Sequence, residues 1–367
     1  MKPKLLYAIP LVGSIEWLKD NGALTRYLKE FNFLKSKFDI TLISKDKAKF
    51  NINKDLQHES LINATTSIRN FLFLFFPILK PRIFKEADVY YADHVSGAFP
   101  LVLGKFLFRK KLIVRFNWDW SYFVKHEYNY ITYLFVRFLE NISIKYADIV
   151  IATTPHLENI VLEKLKFKNK VVVIPNWVDT DLFKPNKSKK KKNSIVSIGR
   201  LVPQKDYLLL LKSLNHLKNK YSLTIVGTGP QKNTLLDYAK KNNIKVNIIE
   251  KIENSEIPKY LNLHELYVST SRYEGHPKAI IEAMSCAIPV IATNVVGNKD
   301  AIINKKTGII TQRDPKEISI HISNLNKSKS MKNKLANNAR DYVTKNCGFD
   351  IVTKRISEEL LSLIKNE

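Results

Sequence analysis

In the stretch RYEGHPKAIIEAMSCAIPVIAT, two glutamates, Glu274 and Glu282, stand with seven residues between them. The residues before them, ELYVSTS, have the β-branched and aromatic content of a strand, and RYEGHP has that of a tight loop at its carboxyl end. KAIIEAMSCA reads as a helix beginning near Pro277, because proline suits a first helical position whose N–H has no partner in any case. Free N–H groups and a positive dipole end make such a helix start a seat for phosphate or sugar oxygens. Glu282 then lies about 7.5 Å along the axis from Pro277 at ~1.5 Å rise per residue. A carboxylate accepts two hydrogen bonds from a vicinal diol, so one of the pair suits a ribose and the other a hexose. On spacing alone, a loop glutamate and an exposed helix glutamate without a ligand fit equally well.

Holding such a pair in place takes a scaffold, and the chain has the length for one. Its 367 residues suffice for two domains, each with its own core. Short apolar runs alternate with segments of helical period, the pattern of parallel sheets wrapped by helices. Strands are expected at KLLYAI, FDITLIS, DVYYA, LIVRF, DIVIA and VVVIP in the first half, and at SIVSIG, YSLTIVG, KVNIIE, ELYVST, PVIAT and GIIT in the second. The expected division is a first domain over 1–175, a linker over 176–193, a second domain over 194–345 and a C-terminal helix over 346–367 that packs back. Two doubly wound α/β domains facing a central cleft follow, with ligands at the carboxyl ends of the strands.

Composition narrows the function classes. Lys and Arg total 60 against 34 Asp and Glu, a formal charge of +26, which favours anionic partners. The lysines are scattered and no arginine-aromatic recognition module is present, so no nucleic-acid partner is expected. The run KSKKKK, Lys187–Lys192, reads as a solvated part of the linker. Two cysteines, Cys286 and Cys347, are far apart in sequence and suggest neither a disulfide framework nor a zinc site, which fits a reducing cytoplasm. No N-terminal signal is read in the opening residues, and the longest apolar run, FLFLFFPIL, is too short to span a bilayer. The segment around it, SIRNFLFLFFPILKPRIFK with Arg69, Lys80, Arg82 and Lys85, either lies on an anionic membrane surface or forms a buried helix of the first domain with charged ends; the second reading is preferred.

The block from Glu274-Gly275 through Glu282, Ala283-Met284, Ser285-Cys286 and IPVIAT resembles the glutamate-pair block of the retaining, nucleotide-sugar-dependent glycosyltransferases of family 4, which have the GT-B fold. Three further blocks agree in order. IPNWVDTDLFKP resembles the family's interdomain signature, SIGRLVPQKD its phosphate-binding loop, and IVGTGP the strand and turn that follow. The resemblance covers most of the chain and is strongest over 174–293. It implies transfer of a hexosyl-type sugar from a nucleoside diphosphate donor to a hydroxyl acceptor on a glycan or a lipid carrier, with no further cofactor and no metal. Arg200 and Lys205, with Gly199, would grip the donor diphosphate, where fixed cations meet the charge that develops as the sugar–phosphate bond breaks. Glu282 would bind the ribose and Glu274 the sugar hydroxyls, while Gly275, His276, Pro277, Lys278 and Ala279 would hold the sugar and phosphate. A non-catalytic sugar-nucleotide or anionic-surface binding protein and a GT-B sugar-nucleotide epimerase are the alternatives.

In the first half, NGALTRYL occupies the place of the family's glycine-rich loop and keeps Gly22, which either allows close approach to the donor phosphate or forms a turn before a helix. Leu24, Tyr27, Leu28, Phe31 and Leu34 follow at helical spacing and read as core. Where many members of the family place a histidine after the fourth strand, LIVRFNWDW puts Asn117, with Arg115, Trp118, Asp119 and Trp120 around it. Asn117 and Asp119 are the candidates for the acceptor side, ahead of His94 and His126; a tryptophan cluster with a satisfied aspartate fits as well. The DTD at Asp179–Asp181 reads as a turn and not as a metal site, and GTGP from Gly227 is a weak dinucleotide signal.

Overall fold

Runs such as VIAT and IVIA carry no charge, and a strand of that kind is stable only with both of its faces covered. The computed structural model describes residues 1–10, 14–20, 22–46, 57–60, 71–186, 189–217, 220–250 and 252–365, the side chains of His126 and Lys164 excepted. It divides into two units, Met1–Pro175 with Thr353–Glu367, and Asn176–Val352.

In the first unit the strands are β1 (Lys4–Ala8), β2 (Asp39–Ile43), β3 (Gln57–Glu59), β4 (Val89–Ala92), β5 (Lys111–Phe116), β6 (Ile149–Ala152) and β7 (Lys170–Val173). They pair in parallel in the order β3-β2-β1-β4-β5-β6-β7. The second unit holds β8 (Ser194–Ile198), β9 (Ser222–Val226), β10 (Lys245–Ile249), β11 (Leu266–Ser269), β12 (Val290–Thr293) and β13 (Ile309–Thr311), in the order β10-β9-β8-β11-β12-β13. In each sheet the order reverses once, next to β1 and next to β8. At the second reversal the chain leaves β8 and β11 in opposite directions, and their carboxyl-end loops open a crevice. Strand β3 has no counterpart in the sequence reading: its three residues, QHE, are polar and do not alternate.

The stretch 176–193, expected as a linker, belongs to the second unit. Its backbone is bound there: Val178 N donates to Cys347 O at 2.8 Å, Phe349 N to Val178 O at 3.0 Å, and the Trp177 and Phe349 rings meet edge to face at 4.8 Å. Arg340 completes the attachment, donating to the carbonyls of Phe183, Ser285 and Thr180 at 2.7, 2.8 and 2.9 Å. The terminal helix spans Phe349–Lys365. From Thr353 it belongs to the first, where Arg355 donates to Val173 O and Lys170 pairs with Glu359. Asp179 accepts from the amides of Asp181 and Leu182, both at 3.2 Å, so the DTD is a turn. Cys286 and Cys347 are both free and buried.

The aromatic stretch before β4 is split between core and surface. Phe73, Phe76 and Phe84 are fully buried beneath the helices Phe76–Leu79 and Pro81–Glu86, whereas Phe71, Phe75, Ile78 and Leu79 are exposed; Arg69 lies outside the described residues.

Replacing Arg340 by Leu removes a donor from three carbonyls at once, of which Phe183 O keeps its bond from Ser285 Oγ at 2.6 Å. Arg340→Leu is expected to cost about 2–4 kcal/mol of stability, read as a lower urea midpoint.

Candidate functional site

Strand β8 ends at Ile198, and the chain passes through Gly199 and Arg200 to a short 3-10 turn, Pro203–Lys205, and the helix Tyr207–Asn215. Strand β11 ends in the loop Thr270–Pro277, which leads to the helix Lys278–Ser285. Beyond the strand ends the two loops are tied by side-chain bonds and one backbone bond. Thr270 Oγ1 donates to the carbonyls of Lys205 and Asp206 at 3.1 and 2.9 Å. Gln204 Nε2 donates to Tyr273 O at 3.1 Å, and Arg272 N to Gln204 O at 2.8 Å. At the centre Lys205 Nζ meets Glu274 Oε1 at 2.5 Å, and Ser271 Oγ donates to the same oxygen at 2.7 Å.

Lys205 and Glu274, assigned separately to phosphate and sugar, are thus brought together as an ion pair whose side chains are 20% and 9% exposed. Arg200 is exposed and reaches Gln204 Oε1 at 3.5 Å, on the same cross-tied loop. Asp206, which the sequence reading passed over, takes a left-handed φ of 46° and binds both Arg272 and Arg313.

Pro277 is the N-cap of the helix Lys278–Ser285 rather than its first residue, and no side chain caps this helix start. Lys278 is exposed and Ala279 half-buried. Glu282 does not sit on an exposed helix face; it is only 5% exposed. Its position relative to Glu274 shows in the buried Tyr267 phenol, whose pKa is raised well above its ordinary value by desolvation first and then by neighbouring groups that include both Glu274 and Glu282. Both carboxylates thus lie within electrostatic reach of the Tyr267 phenol on β11. His276 is buried, and Asn176 clasps it: the Asn176 amide donates to His276 Nδ1 at 3.3 Å, and Asn176 Nδ2 to His276 O at 2.9 Å.

Two glycines are required by close approach. A Cβ on Gly297 would run into the carbonyl oxygen of Gly275, and one on Gly227 into that of Gly199. The GTGP turn thus packs the β9 loop against the β8 loop, where Leu201 N donates to Thr228 O at 2.7 Å.

In the first unit, Gly22 (φ 66°) turns the chain between the helices Ile15–Asp20 and Leu24–Lys35, so a helix separates it from β1. Asn117 Nδ2 donates to Asp93 O at 2.9 Å, and among the described residues its buried Oδ1 has no partner. Asp119 caps the helix Trp120–Glu127, accepting from Tyr122 N at 2.8 Å and Ser121 Oγ at 2.9 Å. His94 is buried beside the rings of Trp118 and Trp120 and bonds to Ser96; the His126 side chain lies outside the described residues. Reading along the sequence does not reach the buried Asp93, which takes Tyr27 Oη at 2.9 Å and pairs with Arg115 at 3.2 Å, while Arg115 also donates to Pro175 O. Nor does it reach Glu140, which accepts from the amides of Trp120 and Ser121 at 2.9 and 3.2 Å.

Two parallel-sheet α/β units, the second with a cation–carboxylate pair at its switch point, define the class: this is the GT-B fold of glycosyltransferases. Residues 33–182 match the model for Glycosyltransferase Family 4 and residues 178–342 that for Glycosyl transferases group 1. The chain belongs to the family 4 glycosyltransferases. It is 29% identical over 217 residues to the UDP-Gal:alpha-D-GlcNAc-diphosphoundecaprenol alpha-1,3-galactosyltransferase of Escherichia coli, covering 54% of this chain and 56% of that protein. Sucrose-phosphate synthase from Thermosynechococcus elongatus superposes at a TM-score of 0.85 and 15% identity over 100% of both chains. Anabaena HepE in complex with UDP-glucose does so at 0.78 and 18%, over 98% and 99%. The chain spans about half the length of the curated relatives it matches.

Burial, and then the neighbouring Asp119, push the Glu140 carboxyl up to about 8. The folded chain therefore keeps a proton that the unfolded chain releases near pH ~4.3, so this contribution to stability is complete below that pH and is lost as pH rises through about 8. Urea titrations across this window are expected to show the wild type losing stability relative to Glu140→Gln as pH rises.

Proposed function

We propose that the protein is a retaining glycosyltransferase that moves a sugar from a nucleoside diphosphate sugar to a hydroxyl of a glycan or lipid-linked acceptor. The observation that carries this reading is the placing of Lys205 against Glu274 on two cross-tied loops at the switch point of the second sheet. That pair offers a cation for the diphosphate and a carboxylate for sugar hydroxyls within one site. Arg200 adds a second cation on the same loop, and the uncapped start of the helix Lys278–Ser285 adds amide donors with the favourable dipole end. Glu282, further along that helix, takes the ribose diol, and Gly199, Gly275, His276, Pro277 and Ala279 shape the backbone around the donor.

In the reaction the acceptor oxygen attacks the anomeric carbon from the face that the diphosphate leaves. The bond from that carbon to the phosphate oxygen breaks, and the departing oxygen takes the acceptor proton. Arg200 and Lys205 meet the charge that builds on the leaving group, the service a metal supplies elsewhere. Acceptor recognition falls to the first unit, where the unpartnered Asn117 Oδ1 offers a hydrogen-bond acceptor. Asp119 serves chiefly by fixing the turn that follows, and Gly22 by shaping the loop that precedes the helix Leu24–Lys35. A lipid-diphosphate acceptor is supported by the similarity to a galactosyltransferase named for one, and a uridine donor by the likeness to a fold solved with UDP-glucose.

Lys205→Ala and Arg200→Ala are each expected to lower kcat about 10²–10³-fold; the exposed Arg200→Ala leaves the thermal midpoint unchanged, whereas Lys205→Ala, which leaves Glu274 without its cation, also lowers it. Turnover within tenfold of the wild type would remove the proposed role. For the stereochemistry, nuclear magnetic resonance of the product is expected to show the anomeric configuration of the donor. An inverted product, or an isomerised nucleotide sugar formed without acceptor, would overturn retention or transfer respectively.

A further inference from the structure

The helix Tyr130–Lys145 presents an apolar stripe on the side that its own packing leaves uncovered. Val136, Leu139, Ser143 and Ile144 are buried against the core of the first unit. At 3.6 residues per turn, Ile131, Leu134, Phe135 and Phe138 fall within a stripe of about 100° on roughly the opposite side. All four are exposed, Ile131 at 80% and Phe138 at 56%. Isolated exposed apolar residues are ordinary, but a continuous stripe marks an interaction surface. The stripe continues beyond the end of the helix, where Phe106 packs edge-on against Tyr146 at 4.8 Å and is itself exposed together with Leu107. Phe106 and Leu107 belong to the helix Phe99–Phe108, which lies beside the long helix on the same core. The exposed Phe75 and Ile78 described above extend that layer, since the helix Phe76–Leu79 packs on Phe99–Phe108.

Charge decides what this face fits. The long helix carries Arg137 and Lys145 at exposed positions, each poised on an aromatic ring: Arg137 binds Tyr133 Oη at 2.9 Å, and Lys145 stands 5.3 Å from the centre of the Tyr146 ring. Its single carboxylate, Glu140, is turned inward onto the amides of Trp120 and Ser121. Arg109 and Lys110 follow the neighbouring helix. A second copy of a chain with formal charge +26 would set like charges against each other across such a face, whereas phosphate headgroups complement it. Aromatic and aliphatic side chains flanked by long cations, on a helix lying along a surface, are the arrangement that enters the boundary between headgroups and acyl chains. Among the described residues no helix is long and apolar enough to cross a membrane.

We propose that this face of the first unit seats on a bilayer surface rich in anionic phospholipid, with Ile131, Leu134, Phe135 and Phe138 inserted at the interface and Arg137 and Lys145 at the level of the phosphates. The lipid contact is read by binding alone and stands independently of the sugar-transfer reading. The test is co-sedimentation of the full chain with vesicles of phosphatidylglycerol mixed with phosphatidylcholine, against vesicles of phosphatidylcholine alone. The chain is expected to pellet with the first and not the second. The double variant Phe135→Ser/Phe138→Ser is expected to lose binding roughly tenfold or more, as is Phe106→Ser/Leu107→Ser on the neighbouring helix. Arg137→Glu/Lys145→Glu is expected to abolish the preference for anionic lipid. Unchanged thermal midpoints in the three variants show that the surface, not the fold, was altered. A wild type that stays in the supernatant, or variants that pellet as it does, would overturn the proposal. So would a wild-type dimer, seen by light scattering, that Phe135→Ser/Phe138→Ser turns into a monomer while vesicles bind neither form.

Discussion

An ammonium held against a carboxylate where neither is fully in water is the constraint around which the second unit is organised. Removing two charges from water is costly, and their attraction offsets that cost only when other groups satisfy the remaining lone pairs and protons. Glu274 meets this condition through Ser271, and the Lys205 segment through Thr270, which binds the carbonyls of Lys205 and Asp206. The loops that carry the pair leave β8 and β11 where the parallel ladder has ended, so these side-chain bonds, with the backbone bond from Arg272 N to Gln204 O, fix one loop on the other. Losing either charge would leave its partner uncompensated and would also untie the loops.

Close backbone approach is the second half of that arrangement. The Gly297 helix start rests on the carbonyl of Gly275, and the Gly227 turn on that of Gly199. At both places backbone rests directly on backbone, with no room for a side chain between. Asn176 supports the loop after β11 by clasping both the ring and the carbonyl of His276.

The first unit solves a different problem, burying polar groups beneath the carboxyl ends of its strands. Asp93 joins Tyr27 to Arg115, and Arg115 ends on the carbonyl of Pro175, the last residue of that unit's main segment. Burial opposes the charge on Arg115, but Tyr91, Asp93 and Glu30 around it outweigh this and raise its pKa, so it stays a cation in the core. Asp119 and Glu140 divide the start of the helix Trp120–Glu127 between them, one capping it and the other, uncharged over much of the physiological range, receiving its first amides.

Twelve of the thirteen strands among the described residues could be read from the chain, because buried parallel strands are short, apolar and bounded by turn residues. The loops after β8 and β11 were legible for the same reason, since GRLVPQKD and RYEGHP interrupt that rhythm with charges and glycine. β3 was not, because its pairing with β2 and not its own pattern makes it a strand. Nor could sequence spacing show that Lys205 and Glu274, 69 positions apart, would form an ion pair, that Glu140 and Asp119 would share a helix start, or that the supposed linker would be bound by Arg340. Local sequence determines what a segment is able to form, through periodicity, propensity and turn chemistry. Which charges meet, which carboxylates lose their water and which apolar stripe stays uncovered were decided only when the sheets brought distant segments side by side, because desolvation and pairing depend on distance in space rather than along the chain.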